Sequence, residues 1–351
     1  MGSYRPHAFP KIETVNLSRI VTGFLKTHPV ICLLLLSPGI PEYLSGSSPI
    51  SAIILNPAQF VFQLVANLGL YGPGVLLVRE ARIRWNKGLA TVLLLGAAYG
   101  ILEEGLALST LFNPEASPVG VLGTYGHWVG VNWIWVASIL PVHMIFSITL
   151  PILLLGMALP ETRGRCFLAG KKTGLALFLL GVDVAALFTL VAKTEGFWMG
   201  WPVFLGSWAA IGALVLAARW TPSDALSPRA EFPRVGAVVA GLVGVGFYPS
   251  VLLSEFVPAA VGVPAAADFV IVALLEGAFL FYVLGVVGRA SNERVVLALA
   301  FGLIVPIATF GVISERALPV TLVADAAMAL FFRKLWQNYP VDAGNQAPNR
   351  Q

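Results

Sequence analysis

Three ionisable side chains lie inside apolar stretches of the sequence and are the residues best suited to chemistry. Glu103 and Glu104 are adjacent within GAAYGILEEGLALSTLF, and His143 follows within SILPVHMIFSITLPILLLG. Ionisable residues at mid-membrane depth are costly to insert, so they usually serve a function. A carboxylate there can act as a general base or a proton carrier. An imidazole can donate to it, orient a water, stabilise an oxyanion or bind a metal ion.

A purely structural role would explain the same residues in another way. Hydrogen bonds between packed helices could satisfy both glutamates, and His143 could bond a backbone carbonyl that the nearby Pro141 leaves free. Neighbouring residues on a helix point about 100° apart, so Glu103 and Glu104 cannot face one partner equally. The residue types alone leave both explanations open.

The lengths of the two stretches predict that the acid and the imidazole lie at one level. Counting residues from the inner end of each helix, at 1.5 Å per residue, puts Glu104 and His143 both roughly 24 Å above the cytoplasmic boundary. Gly96 and Gly100 form a small-residue face that lets a neighbouring helix approach closely. We therefore expect Glu104 and His143, on consecutive antiparallel helices, to share a site.

Three further polar residues are candidates for the same site: Asp183, Asn132 and His127. The same length count places Asp183 about 9 Å from the level of Glu104, so it would need a kink or a tilt to join. Asn132 and His127 lie at or above the outer interface and could line an entrance or simply belong to a surface loop. With four histidines and no HExxH motif, the sequence predicts no metal site. It leaves any cofactor undetermined.

The composition is that of an integral membrane protein. Of 351 residues, 57% are hydrophobic and 11% are charged, whereas soluble domains carry roughly 25% charged residues. The net charge of +4 is small, and the basic residues are spread over short segments between apolar stretches. This pattern argues against nucleic acid as a partner and indicates the lipid bilayer instead.

The apolar stretches predict an all-α, polytopic fold with about ten transmembrane helices. Each stretch is long enough to cross roughly 30 Å of hydrocarbon. We expect residues 1–28 to form a cytoplasmic segment, 29–338 the transmembrane domain, and 339–351 a disordered tail. The predicted spans are 29–45, 57–78, 88–111, 131–159, 173–192, 197–218, 235–257, 266–288, 294–313 and 317–332.

Basic residues predict the orientation of these spans. Ten spans with both termini in the cytoplasm put all but Lys193 and Arg316 of the 22 basic residues on one side, as the positive-inside rule requires. The predicted location is therefore the cell membrane, as a multi-pass protein.

Short matches between the two halves suggest a degenerate inverted repeat of five plus five spans. ILEEG at 101–105 is similar to ALLEG at 273–277, and VDVAALF at 182–188 is similar to ADAAMALF at 324–331. An odd number of spans in each half would insert the halves in opposite orientations, as in many transporters. Chance similarity between apolar stretches is the alternative.

The motifs together resemble a known family. The paired glutamates in GILEEGLALS, the helix with SILPVH, and the segment LPILLLGMALPETRGR resemble the CAAX-protease and bacteriocin-processing (CPBP) family of intramembrane proteases. In that family the order is a Glu-Glu motif, a helix with FxxxH, and a helix with HxxxN or HxxxD. The resemblance implies that Glu103, Glu104 and His143 activate a water to hydrolyse a peptide bond of a membrane-associated substrate.

The sequence differs from the family pattern at three places. Leu108 stands where EExxxR has arginine, and Ile139 stands where FxxxH has phenylalanine. Asp183 lies in the helix where the last histidine belongs, and Leu187 follows four residues later in place of asparagine or aspartate. The match covers about residues 92–190.

Three functions therefore remain open. The first is a membrane-embedded hydrolase, which needs a glutamate and His143 within one water of each other. The second is a proton-coupled secondary transporter, in which Glu104 would meet Glu276, or Asp183 would meet Asp325, near the midplane. The third is a membrane scaffold without catalysis.

Overall fold

A computed structural model describes residues 26–225, 235–289, 293–314 and 318–339, together with Gly23. The side chains of residues 284–289 are not included. Most of the predicted N-terminal segment 1–28 and the predicted tail beyond Tyr339 lie outside the described residues.

Ten main helices form the described part of the chain, one for each predicted span. Short pieces complete it, including a single helical turn at Ala52–Leu55. The main helices are α1 (Pro29–Leu44), α2 (Pro57–Arg84), α3 (Leu89–Ala107), α4 (Trp133–Ala158), α5 (Lys172–Glu195), α6 (Trp201–Trp220), α7 (Ala237–Val261), α8 (Ala265–Arg289), α9 (Glu293–Ser314) and α10 (Leu318–Asn338).

Proline and glycine mark several of the helix ends. α1 and α2 begin at Pro29 and Pro57, where the missing N–H has no partner to lose. α5 and α7 are followed directly by Gly196 and Gly262, which adopt left-handed conformations with φ of 65° and 78°. The boundaries therefore follow from backbone chemistry as well as from hydrophobicity.

Eight of the described helices, α2 to α9, are long and apolar enough to cross a membrane. α1 is shorter, and α10 contains Asp325, Arg333 and Lys334. Large apolar side chains such as Phe178 (66% exposed) and Leu274 (68% exposed) point outward from the bundle, as expected for a surface that contacts lipid. The protein is therefore a multi-pass integral membrane protein, while the count of ten spans and the location of the termini stay predictions.

α4 lies between two apolar cores. Ile148, Ile152 and Leu155 pack in a core with α2, α3 and α5. On the other side of the helix, Phe146 and Leu150 pack in a second core with α7 and α9. His143 therefore lies on the helix that joins the two parts of the bundle.

The loop between α3 and α4 folds back over one end of the bundle. It contains a short 3₁₀ turn (Gly120–Gly123) and two paired strands, β1 (His127–Trp128) and β2 (Val131–Asn132). Val119 and Leu122 are buried there against Ile134 of α4 and Ala259 of α7. The hairpin is a small addition to the predicted all-α fold, and no separate soluble domain is seen in the described residues.

The packing of the two halves differs. In the first half α3 packs closely against α4, whereas the corresponding helices α8 and α9 barely touch. Instead, α7 and α9 pack along each other over most of their length. The inverted repeat therefore gains no support from helix packing and stays a prediction.

Candidate functional site

Glu103, Glu104 and His143 meet in the interior of the bundle. His143 Nε2 lies 2.9 Å from Glu104 Oε1, and His143 Nδ1 lies 3.1 Å from Glu103 Oε2. The three residues are at most 7% exposed. The predicted meeting of acid and imidazole is thus seen in the structure, and both glutamates contact one ring. The partners of the His143 ring are side chains and not a backbone carbonyl that Pro141 leaves free.

Two π-helical segments present these residues. Glu103 and Glu104 lie in Ile101–Ala107 of α3, and His143 begins the segment His143–Thr149 of α4. A π turn encloses one more residue than an α turn, and such turns recur at functional sites. Here they change the directions of adjacent side chains, so that Glu103 and Glu104 reach opposite nitrogens of the ring.

Close contact between α3 and α4 depends on Gly96 and Gly100, which form the predicted small-residue face. A Cβ at Gly96 would lie 3.0 Å from Met144 Cα, and a Cβ at Gly100 would lie 3.3 Å from His143 Cβ. Larger residues at either position would separate the helices. The glycines therefore set the distance between the carboxylates and the imidazole.

The hydrogen bonds of the two glutamates are not equivalent. Glu104 accepts from His143 Nε2 through Oε1 and from the Thr110 hydroxyl through Oε2. Nδ1 of the ring forms its hydrogen bond with Ser147 Oγ at 3.0 Å. Glu103 Oε2 lies within ion-pair distance of Nδ1 but makes no hydrogen bond of good geometry. Glu104 therefore holds the ring, and Glu103 keeps an oxygen available.

Two tyrosines line the site. The ring centroids of Tyr71 and Tyr99 lie 6.3 Å and 6.2 Å from that of His143. The Tyr71 hydroxyl donates to Glu42 Oε1 at 2.6 Å. The Tyr99 hydroxyl lies close enough to interact with Glu103, yet it is buried without a hydrogen-bond partner in the described structure. It is unusual for a hydroxyl and a carboxylate oxygen to lie near each other in an apolar interior without hydrogen bonds.

Asn132 and His127 connect the site to the loop above it. His127 Nδ1 lies 2.5 Å from Asn132 Oδ1, and Asn132 Nδ2 donates to the backbone carbonyl of Thr110 at 2.8 Å. Thr110 in turn donates to Glu104. Asn132 is fully buried and His127 is half-buried. The two residues thus hold Thr110 in place rather than contact His143.

Asp183 lies beside the site. Its carboxyl group packs against Gly69 of α2, where an added Cβ would be 2.6 Å from Oδ1. It is near enough for its charge to act on Glu103. It contacts Gly69 rather than the imidazole, so it does not take the place of the last histidine of the CPBP pattern.

The acidic pairs expected of a transporter are not the ones that interact. Glu276 interacts with Glu255, and Asp183 interacts with Glu103. Asp325 Oδ1 has no hydrogen-bond partner among the described residues. The polar groups of the first half thus gather around His143 without Glu276 or Asp325.

The sequence did not indicate several of the supporting residues. Thr110, Ser147 and the two tyrosines are common residue types, and their roles depend on how the helices are rotated. Glu42 lies near the end of α1, where a carboxylate is ordinarily solvated. It is instead half-buried and bonded to Tyr71 and Ser48. The sequence signal for an irregular backbone here was the pair of prolines Pro38 and Pro41. In the structure this stretch contains the π-helical segment Gly39–Leu44.

A large apolar cavity reaches the site at Tyr99. Its volume is about 680 Å³, and it lies between α2, α3, α5 and α6 with Leu102, Leu177 and Phe204 among its walls. Glu80 and Arg84 lie at the other end of this cavity. Its walls are mostly apolar, and Tyr99 belongs both to this cavity and to the surroundings of His143.

No set of three histidine, cysteine, aspartate or glutamate side chains in the described ranges could hold a metal ion. The groups at the site that can take part in chemistry are two carboxylates, an imidazole and the hydroxyls of Thr110, Ser147 and the two tyrosines. Comparison with protein-family models, with curated proteins and with solved structures finds no match to this chain.

Proposed function

We propose that this integral membrane protein is a membrane-embedded hydrolase, similar to the CPBP proteases, that cleaves a peptide bond of a membrane-associated substrate. One observation carries the proposal: a buried imidazole lies between two carboxylates, at 2.9 Å and 3.1 Å. This is the geometry that the hydrolase hypothesis required, since acid and imidazole must lie within one water of each other.

The unequal hydrogen bonding assigns different roles to the glutamates. Glu103 has an oxygen without a hydrogen bond, so it is the general base that takes a proton from a water. Glu104 accepts from His143 Nε2 and from Thr110 and keeps the imidazole oriented. His143 is thereby placed to stabilise negative charge or to supply a proton.

The reaction follows from these positions. The water oxygen attacks the peptide carbonyl carbon while its proton moves to Glu103. The oxyanion that forms accepts a hydrogen bond from the Tyr99 hydroxyl, which has no other partner among the described residues. The C–N bond then breaks, and the proton on Glu103 passes to the departing amine. The carboxylate is regenerated, and one water is consumed for each bond cleaved.

The apolar cavity supports a substrate that arrives from the bilayer. Its walls are almost entirely hydrocarbon, and Tyr99 belongs both to the cavity and to the surroundings of His143. A peptide segment in the cavity would thus place a backbone carbonyl near Tyr99 and Glu103. A soluble peptide would have to leave water to reach the same position.

Hydrolysis can be tested directly with isotopic water. The purified protein is reconstituted in liposomes with a library of apolar peptides in ¹⁸O-labelled water, and new carboxyl termini are analysed by mass spectrometry. The protein should release fragments that carry ¹⁸O, and Glu103→Gln should not. Glu276→Gln is the matched control, because it removes another intramembrane glutamate. Equal fragment release by the protein and by Glu103→Gln would overturn the proposal.

A specific observation also favours a second candidate, the proton-coupled transporter. His127, Asn132, Thr110 and Glu104 form a chain of polar contacts from the outer loop to the buried site. Polar side chains that lead to an intramembrane acid are a feature of ion and proton pathways in transporters. Proton uptake into proteoliposomes that depends on Glu104 and occurs without peptide cleavage would favour the transporter over the hydrolase.

A further inference from the structure

A cavity separate from the one at Tyr99 lies where α2 and α4 end and α9 begins. Its volume is about 300 Å³. Three charged side chains line it: Arg82 of α2, Glu293 of α9, and Arg163, which follows α4. This is the end of the bundle that the basic residues predict to face the cytoplasm. The cavity therefore lies at the level where the headgroups of one lipid leaflet are expected.

The two arginines of this cavity have hydrogen-bond donors to spare. They line one space, and their charges are close enough to repel each other. Arg82 is half-buried, and its guanidinium makes no hydrogen bond or ion pair with the described residues. Arg163 donates through Nε to the Gly156 carbonyl at 2.8 Å and pairs through Nη2 with Glu293 at 2.8 Å. Glu293 thus neutralises one guanidinium, and the charged residues that line the cavity leave one positive charge in excess.

An apolar crevice continues from the charged cavity into the bundle. The two spaces share Leu89, Thr149, Leu153 and Val296 as wall residues. Apart from Thr149, the side chains that line the crevice are hydrocarbon. Helix packing leaves this space open, because α8 and α9 barely touch and α3 does not pack closely against α9. A polar entrance with an apolar extension matches a molecule that has a charged head and a hydrocarbon chain.

The helix lengths give the depth of the crevice. Along α4, Ile145 in the crevice lies eleven residues from Gly156 in the cavity, and along α9, Leu303 lies ten residues from Glu293. At 1.5 Å per residue both distances are roughly 15 Å. The hydrocarbon core of a bilayer is roughly 30 Å thick, so one leaflet contributes about 15 Å. The crevice therefore extends from the headgroup level through about one leaflet.

We infer that this site binds an anionic phospholipid, with the phosphate on Arg82 and Arg163 and one acyl chain in the crevice. Guanidinium groups form strong, paired hydrogen bonds with phosphate oxygens. Basic pockets between transmembrane helices on the cytoplasmic side are known to bind anionic headgroups. A phosphodiester has one negative charge and neutralises the excess at the cavity, whereas a zwitterionic lipid has no net charge. The site goes beyond the proposed hydrolase activity and does not depend on it.

A bound lipid would contact both parts of the bundle. The walls of the two spaces come from α2, α3 and α4 on one side and from α8 and α9 on the other. Since α8 and α9 barely touch each other, an acyl chain between them adds contacts that the protein alone lacks. Lipid binding should therefore stabilise the folded state.

Thermal unfolding with defined lipids tests the inference. The full-length protein is purified in a nonionic detergent, washed free of lipid, and heated with graded amounts of phosphatidylglycerol while its tryptophan fluorescence is followed. Phosphatidylglycerol should raise the unfolding temperature in a concentration-dependent manner. Phosphatidylcholine with the same acyl chains should not, because it has no net charge. Inorganic phosphate and glycerol 3-phosphate should also have no effect, because they lack the acyl chain.

Arginine variants locate the headgroup. Arg82→Gln should raise the phosphatidylglycerol concentration for half of the maximal shift about tenfold, the effect expected from losing one charged hydrogen bond. Arg82 has no hydrogen bond to lose within the described structure, so the variant should fold normally. Arg219→Gln is the matched control, since Arg219 lies over Trp85 at the same end of the bundle but outside this cavity. It should bind phosphatidylglycerol as the unmodified protein does.

Tryptophan variants locate the acyl chain. Leu153→Trp fills the section that the cavity and the crevice share, and it should weaken the response to phosphatidylglycerol. Leu177→Trp makes the same change in the wall of the larger cavity at Tyr99 and should leave the response unchanged. Glu103→Gln should also leave it unchanged, which separates this site from the hydrolase proposal.

Three outcomes would overturn the inference. The first is an equal shift with phosphatidylglycerol and phosphatidylcholine, which would mean unspecific solvation by lipid. The second is an equal response to phosphatidylglycerol in Arg82→Gln and Arg219→Gln, which would place the headgroup elsewhere. The third is a shift with inorganic phosphate or glycerol 3-phosphate as large as that with phosphatidylglycerol, which would mean a site for a free anion.

Discussion

Replacing each of the two glutamates beside His143 by glutamine should separate stability from the proposed activity. Glu104 accepts two charge-assisted hydrogen bonds, from His143 Nε2 at 2.9 Å and from Thr110. Bonds to a charged group contribute about 1.5–3 kcal/mol and neutral ones about 0.5–1.5 kcal/mol. Glutamine can still accept from His143, so Glu104→Gln loses about 1 kcal/mol per bond, or roughly 2 kcal/mol in total. Glu103 Oε2 makes no hydrogen bond of good geometry and has only the 3.1 Å contact with His143 Nδ1 to lose, so Glu103→Gln should cost less than Glu104→Gln.

The expected order of activities is the reverse. If Glu103 is the base, Glu103→Gln removes proton transfer and should lower hydrolysis about 10²–10⁴-fold. Glu104→Gln leaves the base in place and loosens only the imidazole, so its activity loss should be smaller. The free energy of unfolding is measured by titration with SDS in mixed micelles, and hydrolysis by ¹⁸O incorporation.

The outcome that refutes this reasoning is specific. A Glu103→Gln protein that is as destabilised as Glu104→Gln, or that cleaves peptides faster than Glu104→Gln does, would show that the roles are assigned wrongly. Glu276→Gln again serves as the control for loss of an intramembrane charge. Its hydrolysis should match that of the unmodified protein.

Three further changes probe the surroundings of the site. Gly100→Ala adds a Cβ 2.9 Å from Leu140 Cδ2 and 3.3 Å from His143 Cβ; we expect a stability loss of about 1 kcal/mol or more and at least tenfold slower hydrolysis. Gly174→Ala, which meets nothing within 4 Å, should change neither, and equal losses in both variants would contradict the packing argument. Thr110→Val keeps the shape but removes the hydroxyl donor to Glu104, and it should lower hydrolysis about tenfold in the isotope assay; unchanged activity would exclude a positioning role for Thr110. Cys166 is exposed between α4 and α5, so a membrane-impermeant maleimide should label it only from the cytoplasmic side. Its hydrogen bond with Glu80, together with burial, raises the pKa of the thiol above its ordinary value. The thiolate therefore forms only as the pH passes this raised value, and labelling should accelerate above about pH 8.5, the ordinary cysteine value, rather than below it.

The central contact was accessible to sequence analysis because it depends on helix length. Glu104 and His143 lie at similar distances from the inner ends of consecutive helices, and antiparallel packing then brings them together. Gly96 and Gly100 gave a second signal, since small residues at a spacing of four permit close helix contact. Both signals come from residues within one helix or two consecutive helices, and both features are present in the structure.

Some residues have surroundings that the sequence did not predict, because those surroundings depend on packing between distant segments. Glu42 and Glu255 each lie near a helix end, a position that in the sequence alone is typical of a solvated carboxylate. The end of a helix is exposed only if nothing packs over it. Here Tyr71 and Ser48 bond Glu42, and Glu255 is 1% exposed. The directions of Asp183 and Tyr99 depend on how α5 and α3 are rotated about their axes when they pack, and the apolar pattern of these helices does not show that rotation.

The π-helical segments make the protein unusually sensitive to chain length at single positions. Each wide turn in Ile101–Ala107 and His143–Thr149 holds one residue more than a regular turn would. Deleting one residue from either segment would let it relax into an ordinary α-helix with its hydrophobicity unchanged. Every side chain beyond the deletion would then rotate by about 100° about the helix axis, so a shortened protein could still insert in the bilayer while its acids and imidazole face different neighbours.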